Sequence, residues 1–303
     1  MHGYADSLAY SATRHWKSIL KVSTPECIRL GAQGPVVTRL ALGCWAVGGH
    51  GWGAVCDCDS IQTIRAACDE GVNFFDTADV YGLGHSESIL SSALGDQRHH
   101  VVIASKGGVR WDATGRTWKD SSPSHLRSSL EASLRRLRLE YLPLYYVHWP
   151  DGITPVSETI ESMVQLREEG LIQYLGVSNF SVEELRDALS ITHIDAVQVQ
   201  MSVINHKNTQ DVLPLCQEAG VGLVTWGSLA DGLLTGKFSA DTRFPPEDHR
   251  SWHPNFRGEL FLKNLEAVEF LREIAAQENA TVAQVALRWV LDTAGVSVAL
   301  FGA

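Results

Sequence analysis

The chain has few positively charged residues for its size. It carries 25 lysines and arginines against 35 aspartates and glutamates, a formal net charge of −10 at pH 7. This balance argues against binding to nucleic acid or to an anionic membrane surface, because basic residues hold both. No apolar run is long enough to cross a bilayer, and no signal-peptide core is visible at the start. We therefore expect a cytoplasmic protein without nucleic-acid or membrane partners.

Cysteines are also few, and most lie in apolar or helical stretches. Of the six, only Cys56 and Cys58 are close in sequence, and a lone C-x-C is too short for a structural zinc site. No group of His, Cys, Asp and Glu has the spacing of a metal site. We therefore expect reduced thiols and no bound metal.

The composition does not change between the two halves, and 303 residues fit one large α/β barrel or two ordinary domains. From Cys27 onward, short apolar runs alternate with helical patterns. Buried strands are predicted at residues 40–45, 72–75, 101–105, 142–147, 172–176, 196–199, 223–226 and 296–301. Helices are predicted at residues 59–70, 86–94, 123–138, 156–169, 181–190 and 210–219.

This alternation predicts a single TIM-type (β/α)8 barrel over residues 27–303, entered through a hairpin that turns at Gly34-Pro35. A doubly wound open sheet is the alternative. That fold would need a glycine fingerprint after the first strand, and the glycines at 48–51 do not lead into a helix. Residues 1–26 form an N-terminal extension in which Trp16 and Ile19 have amphipathic helical spacing; a disordered leader or a misplaced start are the alternatives.

Polar or titratable side chains follow the predicted strands where each one ends. In chain order they are Cys44-Trp45, Asp76 and then Tyr81, Lys106, His148, Ser178-Asn179, Gln198 and Trp226. Because the carboxyl ends of barrel strands meet at one face, where barrel enzymes have their active sites, these side chains are expected to converge.

Four of these residues suggest carbonyl chemistry. A buried carboxylate at Asp76 needs a cation, which Lys106 can provide, although Asp76 could also simply cap a turn. An ammonium near Tyr81 would lower the pKa of the phenol from about 10 and make it a better acid. The His148 imidazole can orient a carbonyl oxygen. None of the four can supply a hydride, so a nicotinamide cofactor is required.

Five motifs carry a resemblance to the aldo-keto reductase superfamily from Arg29 to Ala303. They are Asp76-Thr77-Ala78 with Tyr81-Gly82, Ser105-Lys106, Val147-His148-Trp149-Pro150 and Gly176-Val177-Ser178-Asn179-Phe180. Phe244-Pro245 and Phe256-Arg257-Gly258-Glu259 are similar to the bacterial branch that includes the inositol-operon reductase. The resemblance implies that Tyr81 is the proton donor, Lys106 its pKa-lowering partner, Asp76 the counter-ion and His148 the carbonyl-orienting group.

The same resemblance implies a cofactor site. Ser178, Asn179 and Gln198 match positions that hold the nicotinamide carboxamide, and Trp226 stands where a tyrosine usually stacks on the nicotinamide ring. The other implied cofactor residues are Cys44 and Trp45, with Gly227, Ser228, Leu229 and Lys237 in the loop around the pyrophosphate. Beyond the strand ends, Trp45, Trp52, Trp111 and Trp149 predict an aromatic-walled pocket for an apolar or sugar-like carbonyl.

The chain departs from the family pattern at two places. An aromatic usual near Met201 is absent, which would reshape the pocket. Family members also continue past the eighth strand with a basic segment that grips the 2′-phosphate of NADPH and then a covering helix. This sequence stops at Phe301-Gly302-Ala303, so we expect that helix to be missing and the last strand to need another cover. NADP is the expected cofactor, with NAD open.

The leading hypothesis is reversible NAD(P)H-dependent reduction of an aldehyde or ketone, including a keto-sugar or polyol-related carbonyl, by a monomer or homo-oligomer. Two other classes stay open. One is a cofactor-sensing subunit without substantial turnover. The other is a lyase that forms a Schiff base on Lys106.

Overall fold

The computed structural model describes residues 25–302. The amphipathic helix predicted in residues 1–26 falls almost entirely outside these residues, so it stays a prediction.

Twelve strands and eight α-helices make up the described part of the chain. The strands are β1 (Cys27–Arg29), β2 (Val36–Thr38), β3 (Leu40–Gly43), β4 (Phe74–Asp76), β5 (Val102–Gly107), β6 (Val109–Trp111), β7 (Thr117–Lys119), β8 (Leu142–Val147), β9 (Ile172–Ser178), β10 (Ala196–Gln200), β11 (Gly222–Trp226) and β12 (Val296–Gly302). The helices are α1 (Asp57–Asp69), α2 (His85–Leu94), α3 (Pro123–Leu137), α4 (Val156–Glu168), α5 (Val182–Ile191), α6 (Asn208–Ala219), α7 (Gly258–Glu278) and α8 (Val282–Asp292).

Eight parallel strands close into a barrel in the order β10-β11-β12-β3-β4-β5-β8-β9. The predicted TIM-type barrel is therefore confirmed, as is the entry hairpin β1–β2. Local signals start the helices where expected: Ser181 accepts a hydrogen bond from the Glu184 N–H in a capping box, and Pro123 begins α3.

Apolar side chains fill two layers on either side of the barrel wall, because parallel strands are buried on both faces. The inner layer includes Phe74, Ala104, Leu144, Tyr146, Val224 and Val298. The outer layer, between strands and helices, includes Leu42, Phe75, Ile103, Leu126, Leu130, Leu175, Val197 and Leu223. Each large apolar side chain contributes roughly 1.5–3 kcal/mol by its burial. The strands therefore form a rigid frame for the side chains at their ends.

Helices α7 and α8 and the antiparallel hairpin β6–β7 were not predicted. On α7, Leu260, Leu262 and Phe270 are exposed, so its sequence does not show one clean apolar face. Helix α8 had a usable signal, because Thr281 and Gln284 form a capping box ahead of buried valines.

The expectation that the last strand needs another cover is wrong for the residues described. Strand β12 is buried from Val296 to Leu300, because α8 folds back against it, and Phe301 is half-buried.

Within residues 25–302, we find no helix of the length and apolarity that a membrane span requires.

Candidate active site

The carboxyl ends of the barrel strands bring the predicted residues to one rim. Asp76 is the last residue of β4, and Lys106 lies one residue before the end of β5. His148 follows β8, and Ser178 ends β9. The parallel register sets Gln198 of β10 beside Ser178. This register places these side chains at one end of the barrel, where the sequence led us to expect them.

Lys106 is the centre of the charged group. Its Nζ donates to Asp76 Oδ1 at 2.5 Å, to the Thr77 carbonyl at 2.9 Å and to the Tyr81 hydroxyl at 3.4 Å. Burial alone would lower the pKa of Lys106, but Asp76 and Tyr81 together outweigh it and raise that pKa above its usual range. The lysine therefore stays an ammonium ion, as expected for a cation paired with the buried carboxylate of Asp76.

Tyr81 lies on the loop after β4, with its half-buried ring beside both Lys106 and His148. Its pKa lies above the usual value, since desolvation by burial exceeds the lowering effect of Lys106, and Asp76 opposes that effect. The expectation that the lysine would bring this pKa below its ordinary value is therefore not met. The phenol holds its proton at neutral pH.

The His148 imidazole is neutral. Burial, with the nearby ammonium groups of Lys106 and Lys119, holds the pKa of His148 well below its usual range. Its Nδ1 is buried without a hydrogen-bond partner among the described residues. A buried N–H without an acceptor is costly, so the proton belongs on Nε2. The His148 ring thus offers one donor.

Two further buried carboxylates, Asp79 on the loop that carries Tyr81 and Glu87 on α2, were not predicted from the sequence. Glu87 accepts from Ser105 Oγ at 2.6 Å and from Arg136 Nε at 2.6 Å. Asp79 accepts a short hydrogen bond from Ser129 Oγ. Burial raises the pKa of Asp79 to about 7. Their partners lie on β5 and α3, so no local spacing in the sequence could have revealed the pairs.

A groove of about 430 Å³ runs along the rim from Tyr81. Its lining includes Trp45, Trp52, Trp226, Gly227, Ser228, Leu229, Asp231, Lys237 and Arg250. Most of the predicted cofactor residues after β11 therefore face one continuous space.

Contacts join two loops that line this groove, one carrying Trp52 and the other carrying Arg250. Trp52 forms an antiparallel bridge with Asp248. His249 donates its backbone N–H to the Gly51 carbonyl at 2.8 Å, and the Arg250 guanidinium lies 5.1 Å from the Trp52 ring. The segment between Phe244 and Phe256, noted in the sequence for its resemblance, thus contacts the loop that carries Trp52, and its Arg250 lines the groove.

A second cavity of about 300 Å³ meets the groove at Trp45, Tyr81 and Trp226, which line both. Its other lining residues include His50, Thr117, His148, Trp149, Ser178, Asn179 and Gln198. The lining side chains are aromatic, polar or, at Val80 and Leu83, aliphatic, and no Asp, Glu, Lys or Arg is among them.

The predicted carboxamide residues form a hydrogen-bonded cluster. Asn179 Nδ2 donates to Ser178 Oγ at 3.0 Å, and Ser178 Oγ donates to the Gln198 carbonyl at 3.1 Å. Gln198 Nε2 donates to Asp76 Oδ2 at 2.7 Å. One lone pair of Asn179 Oδ1 accepts from Trp226 Nε1 at 3.2 Å. Its second lone pair and Gln198 Oε1 can still accept, and Gln198 Nε2 has another N–H. A nicotinamide carboxamide, with two N–H donors and one acceptor, fits this set.

Three predicted site residues are placed differently. The Cys44 side chain is fully buried, and its backbone is used by Asp76 and Ser86, so it is not among the groove-lining residues. Trp111 lies on hairpin strand β6 and lines neither cavity described here. Trp52, predicted for the substrate pocket, lines the groove instead. The direction of these side chains depends on packing, which the sequence pattern does not show.

The expectation of reduced thiols is wrong for one pair. Cys56 and Cys58 form a disulfide at the start of α1, where their Cα atoms lie 5.3 Å apart, within the range a disulfide can bridge.

Within residues 25–302, one group of potential metal-ligand atoms lies within 4.8 Å, formed by Cys56, Cys58 and Asp59. Both of its sulfurs are bonded to each other and offer no thiolate. The absence of a metal stays a prediction.

Comparison with known proteins gives consistent matches. A model of the aldo/keto reductase family matches residues 39–303. An aldo-keto reductase of Bacillus subtilis (strain 168) is 36% identical over 269 residues, which cover 88% of this chain and 81% of the relative. The NADH-specific methylglyoxal reductase of Escherichia coli (strain K12) is 32% identical over 291 residues, covering 91% and 89% of the two chains. The solved structure of the glycerol dehydrogenase from Gluconobacter oxydans superposes with a TM-score of 0.83 at 39% identity, covering 91% of this chain and 86% of that one.

The barrel, the rim that carries Asp76, Tyr81, Lys106 and His148, and a family match over most of the chain agree with one another. The chain therefore belongs to the aldo/keto reductase family, whose members are NAD(P)H-dependent oxidoreductases that act on carbonyl compounds.

Proposed function

We propose that Tyr81 is the proton donor in a reversible reduction of an aldehyde or ketone to an alcohol. The observation that carries the proposal is the position of Lys106 Nζ, which bonds to both Asp76 Oδ1 and the Tyr81 hydroxyl. An ammonium ion at this position stabilises the phenolate that forms as the proton leaves Tyr81. Asp76 keeps the buried lysine charged.

The substrate carbonyl oxygen accepts hydrogen bonds from the Tyr81 hydroxyl and from His148 Nε2, whose rings lie 5.8 Å apart, centroid to centroid. The neutral imidazole orients the oxygen, and the phenol delivers its proton as negative charge develops there. In the oxidation direction, the phenolate takes the proton back from the alcohol.

NAD(P)H, when bound, supplies the hydride. Ser178, Asn179 and Gln198 would hold its carboxamide, and Trp226 would pack against its ring. The loop of Gly227, Ser228 and Leu229, with Lys237, would hold the pyrophosphate, since all four line the groove.

We propose weak discrimination between NADPH and NADH. Lys237 and Arg250 are the cations among the described groove residues, and Arg250 is already paired with Asp248 at 2.6 Å. The other cation, Lys237, lies with its Nζ 5.1 Å from the Phe238 ring centroid, and one lysine gives little grip on a 2′-phosphate beyond what it gives the pyrophosphate. The E. coli relative is named as NADH-specific, in keeping with a family that uses both cofactors. Equilibrium binding of the two cofactors tests this, and a hundredfold preference for NADPH, about 2.7 kcal/mol, would contradict it.

We propose a small, neutral, hydroxylated carbonyl as the substrate. A cavity of about 300 Å³ suits a short chain or a sugar, and no Lys or Arg is among its lining residues to pair with a carboxylate or phosphate. Two relatives are named for glycerol and for methylglyoxal, which are compounds of this size.

Lyase chemistry on Lys106 is disfavoured. A Schiff base requires a neutral amine, whereas Lys106 is fully buried, bonded to Asp76 and has a raised pKa.

The test is the Tyr81→Phe variant, assayed against a panel of short aldehydes, ketones and keto-sugars with NADPH absorbance as the readout. Turnover should fall by at least about 100-fold, the typical effect of losing a general acid, while cofactor affinity survives. Equal turnover in the variant would overturn the assignment of Tyr81. Cofactor binding without turnover by the unmodified protein on the whole panel would favour a sensing role instead.

A further inference from the structure

A chain of hydrogen bonds joins the aromatic wall of the groove to His148. The Trp226 Nε1–H donates to Asn179 Oδ1 at 3.2 Å. Asn179 Nδ2 in turn donates to the His148 carbonyl at 3.0 Å. A side chain at the end of β11 is thus connected through one amide to the residue that would orient the substrate.

The conformation of Asn179 makes this connection specific. Its φ is 61°, in the left-handed region that asparagine tolerates better than most residues, so the backbone there is fixed by a tight bend. Both N–H groups of its amide are engaged, one at Ser178 Oγ and one at the His148 carbonyl. An amide turned by 180° would set an N–H against the Trp226 N–H. It would also set Oδ1 against the His148 carbonyl oxygen, so the indole and that carbonyl together fix which way the amide faces.

His148 depends on this anchor. Its backbone N–H donates to the Gly107 carbonyl at 2.8 Å, and its carbonyl accepts from Asn179. The ring itself has a buried Nδ1 without a partner among the described residues, so no hydrogen bond at Nδ1 fixes its orientation. The direction of Nε2 therefore depends on packing and on these two backbone hydrogen bonds.

We propose that Trp226 is a positioning residue, which sets the orientation of Asn179 and through it the position of His148, in addition to packing against the cofactor. A phenylalanine at this position could still pack against a ring, but it could not donate to Asn179. The proposal rests on the proposed function for its kinetic consequence, whereas the hydrogen bond itself exists without cofactor.

The kinetic test compares Trp226→Phe with Asn179→Asp, which keeps an acceptor for Trp226 but has no N–H for the His148 carbonyl. Each variant should lower kcat at saturating cofactor by about tenfold, in the range expected for one lost hydrogen bond. For Trp226→Phe, the dissociation constant for NADPH should change by no more than about threefold, because the ring is retained. The double variant should be no worse than either single variant, since both break the same connection.

Two kinetic results would overturn the proposal: a Trp226→Phe variant with unchanged kcat, or effects that multiply in the double variant. The first would leave Trp226 with packing alone. The second would mean that the two side chains act independently.

The structural test uses the cofactor-free protein and the ¹H–¹⁵N spectrum of its indole groups. The Trp226 signal is the one that Trp226→Phe removes. It should exchange with solvent more slowly than the signal of Trp118, which is 45% exposed on β7. Asn179→Gly, which suits a positive φ and removes the acceptor, should move the signal upfield and speed its exchange. Asn179→Asp should leave it protected.

Trp118→Phe is the matched control, since it removes an indole that lines neither cavity, and kcat should not change. An indole signal that does not respond to Asn179→Gly would overturn the proposal directly. If the unmodified protein reduces no carbonyl, the proposed function fails. The indole spectrum still decides whether Trp226 is hydrogen-bonded to Asn179.

Discussion

The carboxylates of two buried ion pairs, Asp76 at the end of β4 and Glu87 on α2, are close in sequence, but only the first pair contacts a residue that lines the cavities. Asp76 pairs with Lys106 at 2.5 Å, and Glu87 pairs with Arg136 at 2.6 Å. Lys106 also donates to Tyr81, which lines both cavities. Both oxygens of Glu87 are taken by Ser105 and Arg136, and the guanidinium side chain is 23% exposed toward solvent.

The difference shows that a buried ion pair does not by itself mark an active site. Both pairs satisfy the same requirement, that a charge removed from water needs a partner. What distinguishes the pair at Lys106 is a remaining donor directed at a group in the cavity. We expect substitutions at the first pair to abolish turnover, and substitutions at the second to reduce stability.

The largest effect is expected for Lys106→Met. Turnover should fall by at least about 100-fold, because the phenolate of Tyr81 loses its stabilising charge. The free energy of unfolding should also fall by about 3–5 kcal/mol, since Asp76 is left as an unpaired buried carboxylate. Steady-state kinetics and urea unfolding measure the two effects.

The double variant Asp76→Asn with Lys106→Met separates these effects. It should recover most of the stability while remaining inactive, because a neutral pair needs no counter-ion. Recovery of turnover in the double variant would contradict the electrostatic role of Lys106.

The next effect is expected for Glu87→Gln. The free energy of unfolding should fall by about 1–3 kcal/mol, because a charge-assisted bond is lost but Arg136 can turn to solvent. We expect kcat to stay within about tenfold of the unmodified protein. A loss of turnover as large as that of Lys106→Met, with unfolding unchanged, would erase the distinction between the two pairs.

The last effect is expected for Asp79→Asn, and it depends on pH. Burial raises the pKa of Asp79 from 3.8 to about 7, so between these values the folded protein keeps a proton that the unfolded chain has released. The contribution of Asp79 to stability therefore falls as pH rises from about 4 to about 7, and is constant above that. The Asp79→Asn variant does not lose stability in this pH range through this side chain, because an amide does not titrate.

Urea unfolding at pH 5 and pH 8 checks the sign. Relative to the unmodified protein, Asp79→Asn should be more stable at pH 8 than at pH 5, by up to about 1.4 kcal/mol for each unit of pKa crossed. Asp96→Asn, at a fully exposed carboxylate, is the control and should show no such trend. A pH-independent difference for Asp79→Asn would mean that its pKa is not raised.

The sequence by itself determined the barrel and the residues on its rim. Apolar runs such as Leu142–Val147, alternating with helical patterns, favour strands buried on both faces, and residues that follow parallel barrel strands gather at one end. Asp76, Lys106 and His148 could therefore be placed on one rim from position alone, while their catalytic roles stay predictions. The roles proposed for Ser178 and Gln198 came from the family resemblance, and they stay predictions.

The tertiary structure decided what periodicity cannot encode, namely which way a side chain faces and which distant residue it meets. Cys44 and Trp45 are neighbours in sequence, yet one is buried behind the rim and the other lines both cavities. Glu87 and Arg136 are 49 residues apart and meet because α2 and α3 pack side by side. The same holds for Trp226 and Asn179, because hydrogen bonds between strand ends depend on register and rotamer, which only the closed barrel fixes.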